Sequence, residues 1–252
     1  MIIEYARPKT ITEAVNLLNR ETPITVPLGG GSVVSKHHGR QMAVVDLQDL
    51  DLNQIRSENG KTIIGATSTL SQIEAFYKSS AIAQAIQIQA GKNQRNSGTI
   101  AGLVKMADGR SPLLTLLLAL DAQLNWEPRN KSISLGNWLP IRSEWKESSL
   151  ITKIVVPEEK VVFESIARTP KDIPIICCAI ALWPNGRMRV TLGGFGKIPN
   201  LVLDGTKNDD IGIAVYSALR DSDDQWASAE YRREAGQKLA LRLFSDILAE
   251  KQ

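Results

Sequence analysis

The sequence predicts an α+β protein, and three stretches carry that prediction. Near the start, a capped helix pattern precedes two short apolar strands that flank a glycine-rich loop, between Ile24 and Leu47. The middle of the chain alternates amphipathic helix patterns with short strands and a hairpin turn. From Val161 to Leu192, β-rich runs separated by turn residues lead into two helical patterns, which predicts an antiparallel meander with helices docked on it.

Thr10-Ile11-Thr12-Glu13 has the spacing of a capping box, and Ala14, Leu17 and Leu18 place an apolar stripe on the helix that it opens. Ile24 to Leu28 reads as a strand, followed by Gly29-Gly30-Gly31-Ser32 and then by a second strand, Met42 to Leu47. Two readings of the glycine loop are open. It can be a strand-to-loop turn whose glycines tolerate positive φ, or a run of bare amides that an anion such as a pyrophosphate can approach, since no Cβ stands in the way. His37 and His38 lie beyond it with no third ligand nearby, and read as a polar loop rather than a metal site.

Ile55 to Ser57 and Lys61 to Ala66 flank Glu58-Asn59-Gly60, a hairpin signal. Gly60-Lys61-Thr62 resembles the end of a phosphate-binding P-loop, but Ile55 stands where the first glycine belongs. Ser71 and Glu74 have capping-box spacing ahead of an amphipathic helix, and a further helical pattern runs from Ala81 to Ala90 and stops at Gly91. Asn96-Ser97-Gly98-Thr99-Ile100-Ala101-Gly102-Leu103 reads as a second loop of small residues. It leads through Asp108-Gly109-Arg110 to Ser111-Pro112, an N-cap and N1 pair for the helix Leu113 to Ala122. A loop of this kind at a helix start is a second place to receive an anion.

Gln123 to Trp126, Ser132 to Leu135 and Leu150 to Val156 are predicted strands of an antiparallel sheet. Val161 to Ile166, Ile175 to Trp183 and Arg187 to Leu192 form the meander, with Pro184-Asn185-Gly186 as a tight turn and Gly193-Gly194-Phe195-Gly196 as a structural one. Helices are predicted from Asp210 to Arg220 and from Ala227 to Leu248. In the second, Tyr231, Ala235, Leu239, Leu243 and Ile247 recur every four residues.

Composition narrows the function classes. With 30 basic and 27 acidic residues spread along 252 positions, no basic block argues for nucleic-acid binding. The opening residues lack the apolar core of a signal peptide, and no apolar run is long enough for a membrane span. Cys177 and Cys178 are adjacent within an apolar strand and point to opposite faces, so they read as packing residues of a reducing, cytoplasmic compartment.

Taken in order, these stretches resemble a family. Gly29-Gly30-Gly31-Ser32, a strand ending Val45-Asp46-Leu47, Thr99-Ile100-Ala101-Gly102, and then Arg189 to Gly194 and Ala229-Glu230-Tyr231-Arg232-Arg233 look like the FAD-binding medium subunit of molybdenum hydroxylases of the xanthine and carbon monoxide dehydrogenase type. The resemblance implies a two-subdomain PCMH-type FAD-binding fold, with an N-terminal α/β subdomain over 1–54 and a second over 55–156. A C-terminal flavoprotein domain over 157–252 follows, built on a three-stranded antiparallel sheet carrying helices. It implies FAD in the cleft between the first two parts. Pro27, Leu28, Gly29, Gly30, Gly31, Ser32 and Val33 would form the first loop on its pyrophosphate, Thr99, Ile100, Ala101, Gly102 and Leu103 the second, and Ile151 a neighbour of the flavin ring.

It also implies a 2Fe-2S small subunit and a molybdenum-cofactor large subunit as partners. Electrons would pass through FAD to an acceptor such as NAD⁺, a quinone or oxygen, and no side chain of this chain would act as acid or base on the substrate. Some positions depart from the family pattern. Ala101 and Leu103 stand where the second loop usually has glycine and a polar residue, Pro112 where it has aspartate, and Ser165, or Glu164 if the register shifts by one, where it has lysine, with Arg168 retained. A non-catalytic scaffold subunit with a degenerate flavin site is the alternative reading of those positions.

Overall fold

The computed structural model describes residues 1–32, 41–145, 150–170, 172–206 and 210–249. Their contacts group into two compact units, one holding 1–76, 91–106 and 123–156, the other 77–90, 107–122 and 157–252.

In the first unit, β1 (Ile2–Ala6), α1 (Ile11–Leu18), β2 (Thr25–Leu28) and β3 (Met42–Asp46) form a parallel sheet of order β1-β3-β2 with a covering helix. β1 escaped sequence reading because its largely exposed run has no alternation to reveal it. Thr10 caps α1 as expected, its hydroxyl accepting the Glu13 N–H at 3.2 Å, while the Glu13 carboxylate accepts from the Lys9 N–H. Ala14 and Val15 of the helix pack with Val45, Leu47 and Leu50 beneath it.

A second sheet of the same unit has the order β4-β5-β8-β6-β7, from β4 (Ile55–Glu58), β5 (Lys61–Gly65), β6 (Gln123–Glu127), β7 (Lys131–Ser134) and β8 (Leu150–Pro157). The Asn59-Gly60 hairpin forms as predicted, both residues at positive φ. The cap of α2 (Leu70–Tyr77) is Thr69 with Gln72, not Ser71 with Glu74. The Thr69 hydroxyl accepts the Gln72 N–H, and the Gln72 side chain accepts the Thr69 N–H at 2.8 Å. Both pairs have the right spacing, and the bridge between Thr69 and Thr99 decides between them by fixing where the extended chain ends. Beyond β7 a short helix, Leu135–Trp138, buries Trp138 completely. Its ring lies 5.7 Å from that of Trp126, and the Lys105 ammonium sits 5.5 Å from the Trp138 centroid. Burial, and then Arg142, push the Lys105 pKa down.

The second unit is built on an antiparallel sheet of order β12-β11-β10-β9, from β9 (Lys160–Ile166), β10 (Ile176–Leu182), β11 (Met188–Gly193) and β12 (Asn200–Gly205). The fourth strand, β12, extends the expected meander. Helices α3 (Ala81–Gln89) and α6 (Pro112–Ala119) contact one another, and α6 packs on β10 and β11, while α8 (Ile211–Ala218) and α9 (Ala229–Ala249) bury the cluster around Ile176, Ile180, Val190 and Leu192. β10 is therefore buried along its whole length. This explains the paired cysteines. Cys178 joins the cluster under α8 and α9, and Cys177 contacts Thr115 of α6, with burial pushing its thiol up to about 12.

On α9 the buried positions run Arg232, Gly236, Leu239, Ala240, Leu243 and Ile247, whereas Tyr231 is exposed. A strict four-residue step advances 40° per repeat on a helix of 3.6 residues per turn, so the predicted stripe drifts off the face within its length. Arg232 takes its place. It is fully buried, donates to the Ile175, Ser222 and Ala227 carbonyls, and meets the Asp224 carboxylate through two hydrogen bonds. At the other end of the sheet, Arg187 and the buried Arg189 share Asp121 and Asp204.

Two outcomes follow. Trp138→Ala, which empties a fully buried ring site, is expected to cost about 3–5 kcal/mol and to lower the melting temperature of the purified chain by several degrees. Hydrogen bonds from Arg187 hold the Asp204 carboxyl below the usual carboxylate range. A carboxylate depressed on folding stabilises the fold above its unfolded pKa of about 3.9, and that contribution is lost as pH falls through the lower folded value. Asp204→Asn is therefore expected to melt earlier than the parent at neutral pH. Melts over a pH series should show the gap closing in acid.

Candidate functional site

Three short segments of the first unit meet around the glycine loop. β2 runs parallel to β3 with Leu28 opposite Asp46, and the Leu47 N–H donates to the Leu28 carbonyl at 3.1 Å. Pro27 costs no ladder bond at this place, because β2 is an edge strand. The chain then leaves the strand into Gly29-Gly30-Gly31-Ser32, at the carboxyl end of a parallel sheet. Gly31 has φ +71°, in the left-handed region that glycine enters without strain. A Cβ on Gly30 would lie 1.6 Å from the Ser97 carbonyl oxygen, and one on Gly29 would lie 3.0 Å from the Thr99 hydroxyl. The structure thus brings the two glycine-bearing segments into backbone contact, and glycine is the residue that lets them close.

The N–H groups of Gly29, Gly30, Gly31 and Ser32 donate to no group among the described residues. Four consecutive amides with no acceptor among the described residues, in a half-exposed loop, have the chemistry to donate to phosphate oxygens. Asp46, the nearest buried carboxylate in register, is occupied on both oxygens by the Tyr5 hydroxyl and the Gln48 N–H. Val33, the last expected member of the loop, lies outside the described residues, as do His37 and His38.

The second segment is not the loop that its small residues predict. Lys92–Ser97 forms a short helix, α4, and Ile100–Met106 another, α5, with Gly98 and Thr99 between them. Thr99 caps α5 through its hydroxyl, which accepts the Gly102 N–H at 3.3 Å. Ile100 is buried, Ala101 and Leu103 are half-buried, and Gly102 is exposed. The small residues were read as loop because the tie that starts the helix is tertiary. Leu70 N–H donates to the Gly98 carbonyl, and Ile100 N–H to the Ser68 carbonyl at 3.0 Å. The turn Ala66 to Ser68 that holds this segment was not singled out from sequence, although Gly65-Ala66-Thr67-Ser68 is itself a run of small residues before a helix.

Ile151 lies buried on β8 opposite Trp126, and its neighbour Thr152 is tied to the second segment, since the Ala66 N–H donates to the Thr152 carbonyl and the Ala101 N–H to the Ala66 carbonyl. In the second unit, Pro112 opens α6 at its first helical position, with the Ser111 hydroxyl accepting the Leu114 N–H. The residue that replaces the family aspartate therefore serves the helix start. Ser165 lies on β9 opposite Cys177, and Arg168 donates to the Trp226 carbonyl. Among the described residues no group of three or more His, Cys, Asp or Glu is placed to hold a metal ion, and no helix is long and apolar enough to cross a membrane.

Residues 1–159 match the family model described as the FAD binding domain in molybdopterin dehydrogenase. The chain belongs to this family. FAD is the cofactor of that domain, and the four open amides of the glycine loop fit its phosphates. Relatives align over almost the whole chain. The protein YgfM of Escherichia coli strain K12 is 26% identical over 255 residues, covering 98% of this chain and 96% of its own. The glyceraldehyde dehydrogenase medium chain of Sulfolobus acidocaldarius is 24% identical over 273 residues, covering 96% and 97%. The fold is that of a carbon monoxide dehydrogenase chain from Hydrogenophaga pseudoflava, solved without the Mo-pyranopterin moiety of its molybdenum cofactor, with a TM-score of 0.81 at 19% identity over 99% of this chain and 98% of that one. Residues 1–159 are thus an FAD-binding domain of the molybdopterin dehydrogenase kind, in a chain that shares its fold with that carbon monoxide dehydrogenase chain.

The packing of Gly30 on Ser97 gives a direct check. Gly30→Ala drives a methyl group into a carbonyl oxygen and must displace the loop. FAD binding, followed by quenching of flavin fluorescence, is expected to weaken by roughly tenfold or more, while the chain still melts cooperatively.

Proposed function

We propose that this chain is the electron-transfer subunit of a multi-subunit molybdenum hydroxylase, in which electrons from a 2Fe-2S subunit, filled by substrate oxidation on a molybdenum-cofactor subunit, leave through FAD to an acceptor such as NAD⁺ or a quinone. The observation that carries this reading is the set of four uncommitted amides, Gly29 to Ser32, closed against Ser97 to Thr99 within a family whose domain binds FAD. FAD exchanges electrons singly or in pairs, which suits a junction between one-electron carriers and a two-electron acceptor.

The residues of this chain bind and orient. Gly29 to Ser32 supply N–H donors to the phosphates, Thr99 braces the loop from behind, and Ile151 stands in the strand beside the second segment. The expected three parts, 1–54, 55–156 and 157–252, remain the proposed domain description, with FAD between the first two. Relatives named as dehydrogenase chains support the assignment to a complex.

The alternative, a scaffold subunit without flavin, draws on Ala101, Leu103, Pro112 and Ser165. The visible absorption spectrum of the purified chain separates the two. A flavin spectrum, with FAD released on denaturation, is expected. A colourless chain that takes up no added FAD, even with its partner subunits present, would leave the scaffold reading standing.

A further inference from the structure

The five-stranded sheet of the first unit has an outer face that the glycine-loop site does not use. β4 and β5 pair antiparallel with Arg56 opposite Ile63 and Glu58 opposite Lys61, and β8 is the central strand of the sheet. Burial alternates along β5 and β8. Thr62, Ile64, Ile154 and Val156 are buried on the inner side, so Lys61, Ile63, Lys153 and Val155 share the outer one. Together with Arg56 and Glu58 they line an open depression of about 420 Å³ beside the Asn59 turn. It lies at the start of β5, whereas the far end of that strand leads into the Ala66 to Ser68 turn behind the glycine loop.

The charges of this depression are unbalanced. Arg56, Lys61 and Lys153 face one carboxylate, Glu58, which Arg56 already meets in an exposed ion pair at 3.4 Å. Lys61 and Lys153 have no hydrogen-bond or ion-pair partner among the described residues. Lys153 is half-buried on the central strand, and Asn125 stands across the ladder from it. The Asn125 side-chain oxygen is buried and accepts no hydrogen bond, so Lys153 lines the depression and leaves this cross-strand acceptor unused. Partial burial of an ammonium without a counter-charge costs free energy in the isolated chain, and a carboxylate arriving from outside recovers it.

We propose that this face docks an acidic segment of a partner subunit, whose carboxylates pair with Lys61 and Lys153 while its chain covers Ile63 and Val155. The proposal rests on the reading of the chain as one subunit of a complex. Small-molecule pockets enclose most of their ligand within apolar walls, whereas this depression is open and lined mainly by charged side chains. A lone small anion would leave the two aliphatic side chains in water, while an acidic polypeptide segment satisfies the lysines and covers the aliphatic floor together. Charge complementarity of this kind sets the rate and specificity of docking, and salt weakens it.

Lysine acetylation read by mass spectrometry, on the chain alone and on the chain assembled with co-expressed 2Fe-2S and molybdenum-cofactor subunits, tests this. Lys61 and Lys153 should label readily in the isolated chain and be protected in the complex. Lys61→Glu combined with Lys153→Glu should leave flavin uptake unchanged and weaken assembly by roughly tenfold or more at low salt, a gap that narrows as salt is raised. If that variant no longer melts cooperatively, Lys61→Glu alone, at the exposed hairpin, gives the same comparison. Equal labelling of both lysines in the two states, or assembly indistinguishable from the parent, would overturn the proposal while leaving the complex standing. Protection by inorganic pyrophosphate added to the isolated chain, with none in the complex, would assign the depression to a free anion and overturn it as well. If the parent chain assembles with neither subunit, the reading as a subunit fails first and takes the proposal with it.

Discussion

Close backbone packing of Gly29 and Gly30 against Ser97 to Thr99 is the constraint on which the site depends. A single added Cβ at Gly30 would fall 1.6 Å from the Ser97 carbonyl oxygen, so the contact exists only because the first loop carries no side chain there. The contact costs the first loop none of its donors. The second segment presents a carbonyl and a hydroxyl to the glycines, while the Ile100 to Leu103 amides turn inward, to Ala66, Ser68 and Thr99.

Positions that the resemblance marks as departures have local places in the structure. The Ala101 N–H donates to the Ala66 carbonyl at 3.2 Å, which ties the start of α5 to the turn before α2. Pro112 likewise fills the first position of α6, where its missing N–H costs nothing and its fixed φ favours the helix. The buried arginines follow the same economy. Arg232 replaces an apolar residue on the face of α9 because it satisfies the Ile175 carbonyl beside β10 and the Ser222 and Ala227 carbonyls and Asp224 carboxylate of the turn before the helix.

Much of the fold was legible because its signals are local. Thr10 and Ser111 cap the helices they precede, Asn59-Gly60 turns its hairpin, and the β-branched run in Leu150 to Val156 marks a strand. What escaped lacked a local signal. β1 is exposed along most of its length, β12 lies at a sheet edge with mixed burial, and α4 and α5 are short helices in a run rich in small and polar residues. The cap of α2 was misplaced by two residues because Thr69 and Ser71 both head a valid spacing, and the bridge to Thr99 that selects one of them spans thirty positions of sequence.

For the site, the sequence by itself determined where the amides are bare. Gly29 to Gly31 after an apolar strand carry no side chain of their own to shield their N–H groups. Order along the chain tied that loop to Thr99 to Leu103 and to a family. Only the tertiary structure decided which of the two segments keeps its donors. That depends on acceptors supplied by Ala66 and Ser68, residues with no motif of their own, and a hydrogen bond is spent or available according to what folds up against it.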